Sequence, residues 1–446
     1  MSTAAFGHLA HLRRRPVRGL LTIAFLARTT AAVLPITLLL SLAQSYGYGR
    51  ASAVTGGYTF ALALLLPLRG RLLDHYGAQR ALTVMGGCAM TLLMLVAFSV
   101  GQRWPWWSTL LLVTCASLSS PPLNSALRSS WRLLVTDARQ LKAVHAADSV
   151  LEEAGFVLGP LTAGAAVMAL GAHRAYEATV VCYLAVIAAY LLAARRHRLG
   201  TQTPASPPAS GGRRRRWLGP LAQPRIRRIM VPLLVMGTVF GGTGIFVPAY
   251  AQHLDATGWI GPLLAATSIG GVIGGILYAT LTLTSSHWRI YRILALAFAL
   301  PACFLFLARP LWLLATLLML AGLFVTPLFI TAFLLVDATA TDDTRIEANT
   351  WVGASADIAN GAVAVTIGAL VSAQRWDTAL LLLSACATAG VITALLTPIP
   401  APSTESPDTT GEHAPTTSGT ALPGPRPAPA GGRPGPVVGE PPATRP

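Results

Sequence analysis

The chain has 446 residues, of which 53% are hydrophobic and only 11% are charged. A soluble chain of this length would carry about 25% charged residues, so the composition predicts a polytopic membrane protein. The net charge of +16 does not indicate a nucleic-acid partner, because the basic residues flank the apolar segments. Anionic lipid headgroups are the expected partners of these residues.

Twelve apolar stretches of near-transmembrane length follow an N-terminal segment, residues 1–18. Six of them make up an N-terminal half, 19–194, and six make up a C-terminal half, 229–397. The predicted spans are 19–42, 51–68, 81–101, 106–127, 147–170, 176–194, 229–252, 258–281, 290–308, 311–336, 348–371 and 377–397. The connecting segment, 195–228, combines a Pro/Ser/Gly run with a series of arginines, which predicts a flexible basic linker at the membrane surface.

The distribution of arginine predicts the orientation. With a cytoplasmic N-terminus, five arginines fall in the outer loops, Arg28 falls inside a span, and the remaining 27 of the 33 Lys+Arg lie on the cytoplasmic side. This is the positive-inside pattern. The Pro-rich segment 398–446 is predicted to be a disordered cytoplasmic tail. Lys142 is the single lysine among many arginines, which is typical of a GC-rich bacterial genome, so we expect a protein of the bacterial cytoplasmic membrane. The charge distribution predicts that both termini are cytoplasmic.

A weak internal repeat relates the two halves. The fifth span opens with residues 145–148 and continues through Glu152, and the eleventh opens with residues 346–349 and continues through Asp357. Both segments place acids, amides and glycines in the cytoplasmic half of the helix. Two related halves predict a pseudo-two-fold axis along the membrane normal, with a site between the halves at mid-depth.

A short loop between spans two and three combines Gly70, Asp74, Gly77 and Arg80. Gly70 permits a close approach of helices and Gly77 can adopt positive φ. The Asp74 carboxylate would lie among arginines, or would face the positive N-terminus of a neighbouring helix. Without further information the segment could equally be an ordinary basic loop that follows the positive-inside rule.

This loop resembles the signature loop of the major facilitator superfamily, G-x-L-x-D-x-x-G-x-x-R-x-L. The matching residues are Gly70, Leu72, Asp74, Gly77, Arg80 and Leu82. The chain departs from the pattern at His75 and Ala78, where the family usually has basic residues. The resemblance covers residues 19–397 and implies an all-α fold of twelve transmembrane helices in two pseudo-symmetric six-helix halves. It also implies that Asp74 and Arg80 help to gate the cytoplasmic closure between the halves.

A second motif lies on span five, where Gly155, Gly159, Pro160 and Gly164 follow one another. The two glycines four residues apart permit a close helix crossing, and Pro160 removes one backbone hydrogen bond. This stretch is similar to the family's antiporter motif, G-x-x-x-G-P-x-x-x-G, although Ala163 replaces the first of the two glycines with which the motif usually ends. The resemblance implies exchange of substrate for protons.

Ionisable residues inside spans are costly, about 2.5–3.5 kcal/mol each, and therefore indicate function. Arg28 on span one is expected to pair with Glu152 or Glu153 on span five, or with Asp357 on span eleven. Either glutamate is a candidate proton carrier, or alternatively part of a structural salt bridge. Asp148 and Glu152 are four residues apart and share a helix face, whereas Glu153 points elsewhere by roughly a third of a turn. Asp148 is expected to form a structural salt bridge at the cytoplasmic end of its helix, where it reaches headgroup water.

By family resemblance, spans one, four, seven and ten line the substrate cavity. The candidate lining residues there are Thr29, Asn124, Phe246, Tyr250 and Phe324. This lining is mostly apolar and aromatic, which favours an amphipathic or lipophilic small molecule over a sugar or a phosphate.

The sequence contains no phosphate-cradling loop, nucleophile elbow or His/Cys metal cluster, so we expect neither an enzyme nor an ATP-driven pump. The predicted function is proton-coupled export of a small apolar compound by a monomer, with no cofactor beyond the coupling proton. The same fold also serves importers and uniporters. A non-transporting membrane scaffold or sensor that uses the linker or tail is the alternative from a different class.

Overall fold

The computed structural model describes residues 15–66, 69, 76, 78–135, 138–197, 223–281, 285–340 and 345–396, which are almost entirely helical. The helices, numbered in chain order, are α1 Arg15–Tyr46, α2 Tyr48–Leu64, α3 Ala78–Gly101, α4 Trp106–Ser119, α5 Leu123–Leu134, α6 Ala138–Leu170, α7 Ala172–Arg196, α8 Pro224–His253, α9 Ile260–Thr280, α10 His287–Cys303, α11 Leu311–Gly322, α12 Val325–Thr339, α13 Arg345–Ser372 and α14 Trp376–Leu396. We call α1–α7 the N half and α8–α14 the C half. Most of the predicted linker, the predicted tail and residues 1–14 lie outside the described residues.

Ten of the described helical segments are long and apolar enough to cross a membrane. The two other predicted spans correspond to shorter helices, the 17-residue α2 and the 14-residue α4. Large apolar side chains such as Val84, Leu111 and Ile276 are exposed along the helices, as expected of surfaces that face lipid. The chain is a multi-pass membrane protein, and the predicted all-α, twelve-span fold is confirmed.

Two predicted spans are interrupted, which the sequence analysis missed. Span four, predicted as the single helix 106–127, is divided into α4 and α5 because Pro121 and Pro122 have no N–H groups to donate to the preceding turn. Span ten is divided into α11 and α12 at Leu323 and Phe324. The ring of Pro327 would clash with the carbonyl of Leu323, four residues earlier, in a continuous α-helix.

The helices alternate in direction, so the bundle has two distinct ends. We call the end that carries Arg18, Arg195 and Arg228 the arginine-rich end and the other the opposite end. Two turns at the opposite end consist of one glycine each, Gly47 at φ 79° and Gly171 at φ 80°. A residue that has a side chain rarely adopts this backbone conformation, so glycine is required where α1 meets α2 and where α6 meets α7.

The two halves repeat the same glycine-mediated packing. In each half, the first and fifth spans meet through two glycines one turn apart. The matching contacts are Gly155 and Gly159 on α6 against Arg28 and Ala32 on α1, and Gly237 and Gly241 on α8 against Ala356 and Asn360 on α13. These contacts follow the sequence repeat, because the alignment that pairs residues 145–148 with residues 346–349 also pairs Gly155 with Ala356. In the N half the glycines are on the fifth span, whereas in the C half they are on the first span.

The halves contact each other through two equivalent crossings. On one side α2 crosses α13, where a Cβ added at Gly56 would lie 2.6 Å from the Gly361 carbonyl oxygen. On the other side α9 crosses α6, where a Cβ at Gly261 would lie 3.0 Å from the Pro160 carbonyl oxygen. These close approaches lie between mid-depth and the opposite end, where the Tyr48 hydroxyl also donates to a side-chain oxygen of the C half, 2.8 Å away. The bundle is therefore closed at the opposite end.

Candidate functional site

Most of the predicted gating loop lies outside the described residues, including Gly70, Asp74 and Gly77. Arg80 is described in the first turn of α3, where it is exposed. The gating role of these four residues stays a prediction.

The span-five motif contacts two different helices. Gly155 and Gly159 pack on α1 within the N half, and a Cβ at Gly159 would lie 2.5 Å from the Cβ of Ala32. The Pro160 carbonyl and Gly164 face α9 of the C half, and a Cβ at Gly164 would lie 3.0 Å from the backbone of Gly261. The motif therefore contacts both the first span and the crossing between the halves.

A buried ion pair lies beside the motif, between α1 and α6. The two terminal nitrogens of Arg28 donate to the carboxylate oxygens of Asp148 at 2.7 and 2.9 Å, and one also donates to the Asp148 backbone carbonyl at 2.9 Å. Both side chains are only 3% exposed. Glu152 lies further away, with 3.7 Å between its carboxylate and the guanidinium.

This geometry corrects one expectation about the buried charges. Asp148 forms a salt bridge, as expected, and is the main partner of Arg28, but it does not reach headgroup water, because the first and fifth spans cross closely enough to enclose it. Glu152 pairs with Arg28 as expected, although only as a second and partly exposed carboxylate. Within the described part of the chain, no ion pair joins Arg28 to Glu153 or to Asp357.

Glu153 lies on a different face of α6. It precedes Pro160 by seven residues and Gly164 by eleven, spacings that place all three on one side of the helix. That side faces α9 of the C half. Glu153 is half-buried and lies about 10 Å from Pro160 toward the arginine-rich end. The sequence analysis separated Glu153 from Glu152 by face but did not reveal which helix each side faces.

Asp357 occupies the corresponding side of the other crossing. It precedes Gly361 by four residues and Ala364 by seven, and both of those residues approach α2 at Gly56. Asp357 itself is exposed, about 6 Å from Gly361 toward the arginine-rich end. Acidic side chains of the two halves therefore lie beside the two crossings, both displaced toward the arginine-rich end.

The predicted cavity residues divide into three groups. Thr29 and Phe324 are half-buried, and Phe324 lies at the break between α11 and α12. Asn124 is in the first turn of α5, but its side chain lies outside the described part. Phe246 is fully buried and stacks on Tyr250 with ring centroids 5.0 Å apart. Contrary to expectation, Phe246 does not line an open cavity here, because Tyr250 and the ring of Trp376 cover it at the opposite end.

Arg69 is a buried residue that the sequence analysis did not single out. Its guanidinium donates to the Ser120 carbonyl at 3.2 Å and to the Leu62 carbonyl, and it is only 3% exposed. These contacts tie the end of span two to the break in span four. In the sequence this arginine directly precedes the predicted gating loop, where it is indistinguishable from an ordinary cytoplasmic charge.

A comparison with known proteins agrees with this architecture. The family model described as Major Facilitator Superfamily matches residues 20–307. No curated protein sequence matches the chain. Among solved structures, the chain is similar to a bacterial homologue of the iron transporter ferroportin in an inward-facing state, with a TM-score of 0.67 at 14% identity over 85% of this chain and 98% of that one.

Two other solved structures show the same fold at similarly low identity. The nucleoside transporter NupG gives a TM-score of 0.66 at 12% identity, covering 86% of this chain and 98% of that one. A peptide transporter, POT, gives 0.64 at 14% identity, covering 84% and 93%. These neighbours differ in cargo, so the likeness establishes the fold alone. The family match extends over more than half of the sequence, and the chain belongs to the major facilitator superfamily.

Proposed function

We propose that the protein is a proton-coupled secondary transporter that exports a small amphipathic or lipophilic compound across the bacterial cytoplasmic membrane. The observation that carries the proposal is the position of Glu153. This acid lies on the side of α6 that crosses the C half, and the motif around it contacts both the first span and that crossing. Protonation there would change the charge at the surface where the halves move against each other.

Alternating access supplies the mechanism. Superfamily membership and the two equivalent crossings support a rocking motion of one half against the other. With a cytoplasmic N-terminus, the closed opposite end is the outer end, and the described conformation corresponds to inward access. A proton that enters from outside carries about 2.3 kcal/mol per 100 mV of membrane potential, which can drive accumulation of the cargo outside.

The buried pair of Arg28 and Asp148 supports a division of roles among the acids. Two charge-assisted hydrogen bonds join Arg28 to Asp148, and such bonds are strong and geometrically specific, which suits Asp148 to a structural role. Glu153 has no ion-pair partner among the described residues and is free of that constraint. We therefore assign proton transfer to Glu153, and the structural role to Asp148.

The test uses inverted membrane vesicles that contain a pH-sensitive dye. A panel of lipophilic compounds is added to vesicles with wild-type protein, Glu153→Gln or Glu177→Gln. Glu177 is a matched control, because it is an exposed glutamate near the opposite end, 3.3 Å from His173. We expect substrate-dependent proton release in wild type and in Glu177→Gln, and its loss in Glu153→Gln. Equal release in all three proteins would reject Glu153 as the carrier.

A further inference from the structure

Asp357 is a carboxylate without a visible counter-charge. It lies in the middle of α13, within the candidate span Ala348–Ser372, where an ionised group costs about 2.5–3.5 kcal/mol. The described residues provide no salt bridge and no hydrogen bond to its side chain. A costly group in this position requires a partner that the described part of the protein does not supply.

The direction in which Asp357 faces follows from its helix. It shares one face of α13 with Gly361, Ala364 and Gly368, all of which approach α2 in the N half. Asp357 therefore faces the N half and not another helix of its own half. It lies one turn beyond the Gly361 contact toward the arginine-rich end, and it is exposed.

The surface opposite Asp357 is apolar. Gly49 approaches Ser372 and Gly56 approaches Ala364, so α2 and α13 run antiparallel in a regular register. Continued by two turns toward the arginine-rich end, this register places Phe60 and Leu64 across from Asp357. Both are exposed, at 38% and 40%. The register therefore sets a carboxylate on α13 opposite an aromatic and an aliphatic side chain on α2.

The side chains that the structure describes on the helices of the two crossings include no cation beside this acid. Among the described side chains of α2, α6, α9 and α13, the one basic residue is Arg50, which is in the first turn of α2 at the opposite end. Arg28 of the neighbouring α1 is held by Asp148 and Glu152. Within this described part of the protein, no residue supplies a positive charge to Asp357, whereas a cationic ligand or a proton would supply one.

We propose that the cargo is an amphipathic cation, whose charge pairs with Asp357 and whose apolar body lies against Phe60 and Leu64. This inference rests on the proposed transport function and adds the charge of the cargo to it. An apolar cation gains an ion pair with the carboxylate and a favourable approach to the face of the Phe60 ring. A neutral compound gains no ion pair with the carboxylate, and an anion is repelled by it.

The experiment measures equilibrium binding to purified full-length protein in lipid nanodiscs. The probes are tetraphenylphosphonium and tetraphenylborate, which have nearly the same shape and opposite charge, together with two further lipophilic cations, ethidium and tetrapentylammonium. The variants are Asp357→Asn, which removes the charge, Asp357→Glu, which keeps it, and Asp377→Asn. Asp377 is the matched control, an exposed aspartate in an ion pair with Arg309 at the opposite end.

We expect wild type to bind at least one of the three cations in preference to tetraphenylborate. Asp357→Asn should weaken that binding by about tenfold, equivalent to about 1.4 kcal/mol, while Asp357→Glu and Asp377→Asn retain most of it. Size-exclusion profiles of the variants confirm that they fold. Binding that is unchanged in Asp357→Asn overturns the proposal, as does wild type that binds none of the cations below about 1 mM.

The outcome is separable from that of the transport test. If neutral compounds cause proton release from wild-type vesicles and the purified protein does not prefer cations, the cationic cargo is refuted and proton-coupled export stands. Cation binding that depends on Asp357, without proton release for the same compound, would refute proton coupling and leave the charge of the cargo established.

Discussion

Replacing Asp148 with asparagine would leave the buried guanidinium of Arg28 without its main charge partner. The pair is 3% exposed on both sides and is joined by hydrogen bonds of 2.7 and 2.9 Å. Removal of one member of such a pair costs about 3–5 kcal/mol, because the remaining charge stays buried and uncompensated. Glu152, 3.7 Å from the guanidinium, offers partial compensation, so we expect about 3 kcal/mol.

A thermal-unfolding assay on the purified protein measures this effect. A loss of 1 kcal/mol lowers the Tm by about 2–4 °C in a unit of 150–250 residues, which is the size range of the predicted N half, 19–194. Asp148→Asn should therefore lower the Tm by about 6 °C or more, compared with wild type at one fixed scan rate. The double variant Arg28→Met/Asp148→Leu removes both charges and should recover most of the loss.

The exposed pair of Arg309 and Asp377 provides the internal reference. Its side chains are 71% and 65% exposed and lie 3.3 Å apart, so Asp377→Asn should cost less than about 1 kcal/mol. If Asp148→Asn lowers the Tm no more than Asp377→Asn does, the buried pair does not stabilise the contact between the first and fifth spans. The same conclusion would follow if the double variant were as unstable as the single one.

Three further predictions concern helix contacts. Gly159→Ala should destabilise the protein by about 1–3 kcal/mol through overpacking against Ala32. The control Gly87→Ala, whose new Cβ meets nothing within 4 Å, should leave the Tm unchanged or higher. Equal effects of the two substitutions would contradict the close crossing. Tyr48→Phe removes a hydrogen bond between the halves, so thiol labelling of a cysteine introduced at the opposite end should become faster, and an unchanged rate would refute a closing role. Arg69→Gln should lower the transport rate at saturating substrate without changing the KM, since Arg69 contacts the break in span four and not the predicted cavity; a raised KM with an unchanged rate would indicate direct substrate binding.

The placement of the helices could be predicted closely from sequence, with instructive exceptions. Apolar stretches reveal spans because bilayer thickness fixes their length. They do not reveal interruptions of a helix that stays apolar throughout. Span four is interrupted at Pro121 and Pro122, and span ten near Pro327. Those prolines were visible in the sequence, but a proline within a membrane helix is compatible with a kink as well as with a break.

The candidate site was predicted less completely than the fold. Helical periodicity assigned Glu152 and Glu153 to different faces, yet it contains no information about which helix each face meets. The partner of Arg28 is Asp148, 120 positions away, and the choice depends on the depth at which α1 crosses α6. Burial of Phe246 likewise results from rings on α8 and α14 that come together only in the folded bundle.

The sequence by itself determined the membrane class, the number of spans, the two related halves and the signature motifs, because each of these depends on local composition or on spacing along the chain. Only the tertiary structure decided which end of the bundle is closed, which carboxylate holds Arg28, and that Glu153 and Asp357 both face the opposite half. These properties arise from helix crossings between distant segments, and the geometry of a crossing depends on the packing of side chains from both helices at once.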